Sequence, residues 1–232
     1  MSLLSAVSLI KKFGASTILD NISLTVNDGD FVSITGASGS GKSTLLTILG
    51  GIDKPTSGEV FIDGIDIVKM KEPELAILRR SVVGFVFQFF NLAPYLTVRE
   101  NILLPIILAK KSQKLFTEKL TTLCEYLGIT AHLNKLPDKL SGGEQQRVAI
   151  ARGLIFEPKI ILMDEPTGNL DSKTGSEIMQ LLLRINKDLN TTIIQVTHSE
   201  KNANFANRII NIIDGKITET IPKDKSDDEH TA

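Results

Sequence analysis

A chain of 232 residues, 42% of them hydrophobic, carries enough apolar mass for one compact unit and is short for two independent ones. Its 26 Lys and Arg against 27 Asp and Glu leave a net charge of −1, without the basic footprint that nucleic-acid binding calls for. A single cysteine excludes a disulfide framework, Met1–Ile10 lacks the basic start of a signal peptide, and no apolar run reaches the roughly 18 residues of a membrane span.

In chain order, Leu3–Ile10 and Ile22–Val26 predict strands, and Phe31–Thr35 a short buried one. Ser43–Leu49 predicts a helix that stops at Gly50-Gly51. Between the last two runs lies Gly36-Ala37-Ser38-Gly39-Ser40-Gly41-Lys42-Ser43-Thr44, which fits the phosphate-loop pattern G-x-x-x-x-G-K-[ST] in its required strand–loop–helix setting. The chemistry needs these residue types. Gly36, Gly39 and Gly41, with Ser38, Ser40 and Thr44, let successive backbone amides curl around phosphate oxygens. Lys42 sets a point charge on the β- and γ-phosphates, and Ser43 offers its hydroxyl to Mg²⁺. Val60–Ile67 predicts a strand pair turning at Asp63-Gly64.

Val82–Phe87 predicts another strand, after which the strand signal vanishes until Leu140. Thr97 and Glu100 form a capping box, and Phe116–Leu127 has helical apolar spacing that includes Cys124, expected as a buried thiol. A helical subdomain inserted at about 89–157 follows. Phe89, Phe90, Leu92 and Tyr95 are apolar for a loop, and two readings stay open: packing within the insertion, or contact with a partner helix.

Leu140-Ser141-Gly142-Gly143-Glu144-Gln145-Gln146-Arg147 opens a helix through the capping box of Ser141 and Glu144. Gly142 and Gly143 leave the first-turn amides unshielded, so this helix N-terminus can meet an anion. Ile160–Met163 predicts a buried strand of a parallel sheet, with Asp164 and Glu165 at the end where such sheets place ligands. Asp164 is the expected Mg²⁺ ligand, and Glu165 the group that polarises the attacking water. Thr192–Thr197 predicts a strand ending at His198, whereas His132 and His230 are read as structural. Ile210–Ile217 predicts a second strand pair around an Asp-Gly turn. With Leu3–Ile10, Ile22–Val26 and Val60–Ile67 it is expected to form an antiparallel layer beside the main sheet. Lys223–Ala232 is polar and aperiodic, hence expected disordered, leaving 1–222 as a single domain. The predicted class is α/β: a P-loop nucleotide-hydrolase core of mostly parallel sheet flanked by helices, with an antiparallel β layer and the helical insertion.

On the phosphate loop, the Ser141 segment and the carboxylate pair, the chain resembles the ATP-binding subunit of an ATP-binding cassette (ABC) transporter from about Leu4 to Glu219. The resemblance implies further roles. Phe13 would stack on adenine, Gln88 would reach Mg²⁺ and the attacking water, and His198 would touch the γ-phosphate. Asn169-Leu170-Asp171 matches the loop that crosses a dimer interface, where Ala-Leu-Asp is commoner. Glu144 stands where Gln is commoner, while Ser141, Gly142 and Gly143 keep the phosphate contacts. The implied assembly is a head-to-tail dimer with two ATP at its interface, each covered by the Ser141 turn of the other copy. It would sit peripherally on the cytoplasmic face of the cell membrane and drive a separate integral membrane permease through the region Gln88–Tyr95. The stretches Val83–Gln88, Asn91-Leu92 and Asp164–Gly175 are similar to the LolD/MacB-like branch, which includes lipoprotein-releasing, macrolide-exporting, haem-exporting and peptide-resistance ATPases. Export or resistance is the implied task, and an ATPase that drives conformational signalling without moving a substrate is the alternative. The chain lacks the long coiled coil of a chromosome-maintenance ATPase and the second cassette of a translation factor.

Overall fold

A computed structural model describes residues 2–222; the tail expected at 223–232 lies outside the described residues. Two sheets organise the chain. A six-stranded sheet runs in the order β10, β9, β3, β8, β7, β6: Lys216–Pro222, Arg208–Ile213, Phe31–Thr35, Thr192–Val196, Ile160–Asp164 and Val83–Val86. All its pairings are parallel except β10 with β9. A four-stranded antiparallel sheet, β2-β1-β4-β5, is built from Ser16–Asn27, Ser2–Phe13, Ser57–Ile62 and Ile65–Asp66.

The parallel sheet is covered on both faces, which is why β3, β7 and β8 are buried almost throughout rather than alternately, the polar Ser33, Thr192 and Gln195 included. On one face, Ile161, Met163 and Ile193 join Phe31 and Val86 under the helices α3 (Val98–Leu108), α4 (Thr117–Tyr126), α5 (Gly142–Leu154) and α6 (Ser172–Leu189). On the other, Ile160, Leu162, Ile194 and Val196 pack with α1 (Lys42–Leu49) and with the apolar face of the antiparallel sheet, Leu4, Leu9, Ile22 and Val60 among it. Successive side chains of a strand point to opposite faces, so one pentapeptide feeds two cores. No strand is found between Gln88 and Leu140. The helices there share their apolar cluster with α5, α6 and the sheet. Cys124 is fully buried within it, and the lost hydration pushes its thiol up to about 11.

Two expectations change. The pair Ile210–Ile217 was grouped with the antiparallel layer, but β9 pairs in parallel with β3, so this hairpin closes the edge of the six-stranded sheet. An Asp-Gly turn makes two strands antiparallel to each other and is silent about the third strand beside them. β1 and β2 also run further than Leu3–Ile10 and Ile22–Val26, meeting at a tight turn around Gly14. Register shifts and the left-handed Ser8 and Asn21 interrupt the alternation there and hide the strand period. Three helices escaped the sequence reading, α2 (Glu72–Ser81), α6 and the short α7 (Glu200–Ala203). α6 is capped by Asp171, whose side chain accepts from the amides of Lys173 and Thr174.

Candidate nucleotide site

The phosphate loop leaves β3 and turns into α1 at the sheet's C-terminal edge. Two of its glycines have no substitute. A Cβ on Gly36 would stand 2.2 Å from the carbonyl oxygen of Ile212, and one on Gly41 2.8 Å from that of Ile18; both backbones sit at positive φ, 147° and 98°. The loop is therefore pressed onto β9 and β2. Lys42 is buried, and its ammonium donates to the carbonyls of Gly36 (2.9 Å) and Ala37 (2.7 Å), which fixes a positive charge at the loop's centre. The Ser40 hydroxyl is buried without a partner, close to where a Cβ on Gly36 would lie.

A cleft of about 510 Å³ opens above this loop. Phe13, Ser38, Gly39, Gly41, Lys42, Ser43, Thr44, Gln88, Asp164, Glu165 and His198 all line it, drawn from five separate stretches of sequence. Gly36 and Ser40 do not; they shape the loop from beneath. Ile18 and Val196 line it too, and sequence reading missed both because aliphatic residues in strands carry no chemical signature. Phe13 is 56% exposed, with the Lys11 ammonium 4.8 Å from its ring centre.

The carboxylates differ in their surroundings. The Ser43 hydroxyl donates to Asp164 at 3.0 Å. Burial holds the Asp164 carboxyl above its ordinary range, with the Glu165 charge adding to the rise, while Ser43 and Lys42 pull the other way. Glu165 takes a left-handed backbone, φ 46°, between Asp164 and Pro166. One of its carboxylate oxygens accepts the His198 amide at 2.9 Å and lies 2.7 Å from the His198 ring Nδ1. Gln88 lies against Gly168, whose Cβ, if present, would be 2.8 Å from the Gln88 amide nitrogen.

Ser141, Gly142, Gly143 and Glu144 do not line the cleft, nor do Asn169, Leu170 and Asp171. These two groups meet each other instead. A Cβ on Gly142 would be 3.0 Å from the Leu170 side chain, and one on Gly143 only 2.5 Å from the Thr174 methyl. The two glycines thus let α5 seat against α6, where Gly143 is buried. Ser141 and Glu144 form the expected capping box, with the carboxylate taking both the Ser141 amide (2.6 Å) and hydroxyl (2.8 Å). Those bonds, the amide's above all, hold the Glu144 carboxyl below its usual range. Its other oxygen meets the His132 ring at 2.9 Å, so His132, read from sequence as merely structural, braces this turn.

A strand–loop–helix phosphate cradle with two carboxylates at the end of the neighbouring strand defines a P-loop nucleotide hydrolase. Residues 19–168 match the family model described as ABC transporter, and the chain belongs to that family. It is 46% identical to the lipoprotein-releasing system ATP-binding protein LolD 1 of Chlorobium chlorochromatii, over 87% of this chain and 82% of that protein. It is 44% identical to the bacitracin export ATP-binding protein BceA of Halalkalibacterium halodurans, over 94% and 87%. The dimeric structure of MJ0796, a bacterial ABC transporter cassette, superposes with a TM-score of 0.86 at 43% identity, covering 94% of this chain and 98% of that one. A dimeric post-hydrolysis state of MJ0796 bound to ADP and Pi superposes at 0.85. The chain is accordingly an ATP-hydrolysing ABC subunit of the LolD/MacB-like branch, with the cassette fold. Among the described residues no helix is long and apolar enough to cross a membrane.

Proposed function

We propose that this subunit hydrolyses ATP in a head-to-tail dimer and so drives a separate integral membrane permease of export or resistance type from the cytoplasmic face of the membrane. One observation carries the reading: Lys42, Ser43, Gln88, Asp164, Glu165 and His198 share a cleft from which the Ser141 turn is absent. A turn built to meet an anion, yet set outside its own chain's anion site, has work to do on another copy. The dimeric state of MJ0796 supports the same assembly. ATP would then join two chains, each providing the cradle for one nucleotide and the covering turn for the other.

Within one cleft, Lys42 attracts the β- and γ-phosphates and Phe13 stacks on the base. Glu165 takes the proton from the attacking water as its oxygen bonds to the γ-phosphorus and the bond to the ADP oxygen breaks. His198 orients that carboxylate through its amide and ring and faces the γ-phosphate. The donor set of Ser43, Asp164 and Gln88 fits Mg²⁺, which prefers one or two carboxylates plus phosphate oxygens to an all-protein cage; no cluster of three or more acidic, His or Cys ligands occurs among the described residues. When bound there, Mg²⁺ neutralises charge on the phosphates.

The permease would dock beside Gln88. A groove of about 330 Å³ between α2, β6, α3 and α5 presents Phe85, Phe87, Leu104 and Leu108 with Arg79 and Arg152 at its edges. The two readings of the apolar loop divide: Phe90 and Leu92 pack on the core, whereas Phe89 and Tyr95 are 72% and 91% exposed. Glu165→Gln tests the assembly. It preserves shape but removes the base, a loss of roughly 10²–10⁴-fold in turnover, and with ATP and Mg²⁺ it should elute from size exclusion as a dimer. A monomeric elution under those conditions would refute the shared-ATP dimer.

A further inference from the structure

The loop that carries Gln88 is held from outside as well as by its own turn, in which the Phe90 amide donates to the Phe87 carbonyl. Phe90 and Asn91 both take left-handed backbone, φ 58° and 48°, a region non-glycine residues enter at a cost. Arg152, reaching from α5, donates to the carbonyls of both residues. At the other end, the side-chain amide of Asn169 donates to the main-chain carbonyl of Gln88 at 2.8 Å. The Gln88 side chain lies along the neighbouring Gly168, where a Cβ would leave it no room. Gln88 is therefore bound to the segment 168–169 through its carbonyl and through its side chain, and Asn169 supplies the one directional bond.

We infer that Asn169 is a positioning residue for Gln88: its amide fixes the Gln88 carbonyl and so sets where the Gln88 side chain stands in the nucleotide cleft. Asn169 does not itself line that cleft. The bond spans 81 residues of sequence, so no local turn can replace it. The inference rests on the proposal that Gln88 serves the metal and the attacking water. It goes beyond the interface role implied for the Asn169 loop, because the side chain is already committed within its own chain.

Asn169→Asp keeps the shape and replaces the donor with an acceptor facing a carbonyl; Asn169→Ala removes the group. In the free chain, without nucleotide or metal, amide exchange across residues 88–91 should quicken roughly three- to tenfold in either variant, the factor one hydrogen bond carries. The Mg²⁺ concentration giving half-maximal ATPase should rise by a similar factor, with little change in ATP-driven dimerisation when each variant is combined with Glu165→Gln. Placed on top of Gln88→Ala, Asn169→Asp should add almost nothing to the Mg²⁺ shift, because both act through one side chain. Wild-type exchange and Mg²⁺ dependence in both Asn169 variants, with Gln88→Ala still shifting the Mg²⁺ dependence, would overturn the inference and leave the role of Gln88 intact. Full additivity, or lost dimerisation with an unchanged Mg²⁺ dependence, would place Asn169 at the interface and overturn it as well. A Gln88→Ala chain with wild-type Mg²⁺ dependence would remove the role of Gln88 on which the inference stands.

Discussion

Gly143→Ala should damage the chain through a contact that can be relieved by a second, compensating substitution. The added Cβ would lie 2.5 Å from the Thr174 methyl, when ordinary contact begins near 3.4 Å. About 1 Å of separation must be found between the first turns of α5 and α6, and overpacking of that kind costs about 1–3 kcal/mol. For a chain of this length each kcal/mol moves the melting temperature by roughly 2–4 °C, so a fall of about 2–12 °C is expected. ATPase activity should fall with it, because the displaced turn is the one proposed to cover the partner's nucleotide. Thr174→Ala deletes the methyl and leaves its Cβ at 4.0 Å, an ordinary contact. The double variant should recover most of the melting temperature and of the activity, a coupling visible in a four-point cycle by calorimetry and phosphate release. A Gly143→Ala chain that melts and turns over like wild type would refute the close-packing argument. A double variant that melts normally but stays inactive would show that Gly143 serves catalysis by some route other than its seating on Thr174.

Two further outcomes can be checked. Asp164→Asn should abolish Mg²⁺-dependent turnover yet raise the melting temperature at neutral pH, since the folded state holds the ionised Asp164 at a cost. The sign follows from proton binding: a carboxyl whose folded pKa is raised binds protons more readily folded than unfolded. Wild type should therefore lose stability as pH rises from the ordinary carboxylate range through that raised value, and Asp164→Asn should lack this component of the melting profile. Tyr95→Ala should change stability by less than about 0.5 kcal/mol and leave basal ATPase intact, because the ring is 91% exposed, but it should weaken stimulation by a co-purified permease. Unaltered stimulation would remove Tyr95 from the docking surface.

What could be read from the sequence was whatever is contiguous. The phosphate loop, both capping boxes and the strand before Asp164 each keep their meaning within a few residues, and each appears where expected. The sheet to which the β9–β10 hairpin belongs was not legible, because its neighbour β3 lies far away in sequence. α6 is not legible although its Asp171 cap is strong, because Asn169-Leu170-Asp171 reads as a loop with a role of its own. The partners His132 with Glu144 and Asn169 with Gln88 needed three-dimensional proximity that no spacing encodes. Burial also separated Phe90 from Phe89, adjacent rings with opposite fates.

The placement of β3 bears on how the chain is made. Its two neighbours in the sheet, β8 and β9, pair Phe31 with Ile193 and Val32 with Arg208. On the ribosome the strand and its phosphate loop are synthesised early, then wait without lateral pairing while most of the chain is added at about 5–20 residues per second. The bed under Gly36 comes from Ile212, later still. A polypeptide truncated before β9 carries every residue that lines the cleft but lacks the Ile212 carbonyl on which Gly36 rests. In such a fragment β3 keeps its pairing with β8 but loses β9, so one edge of the strand is left open.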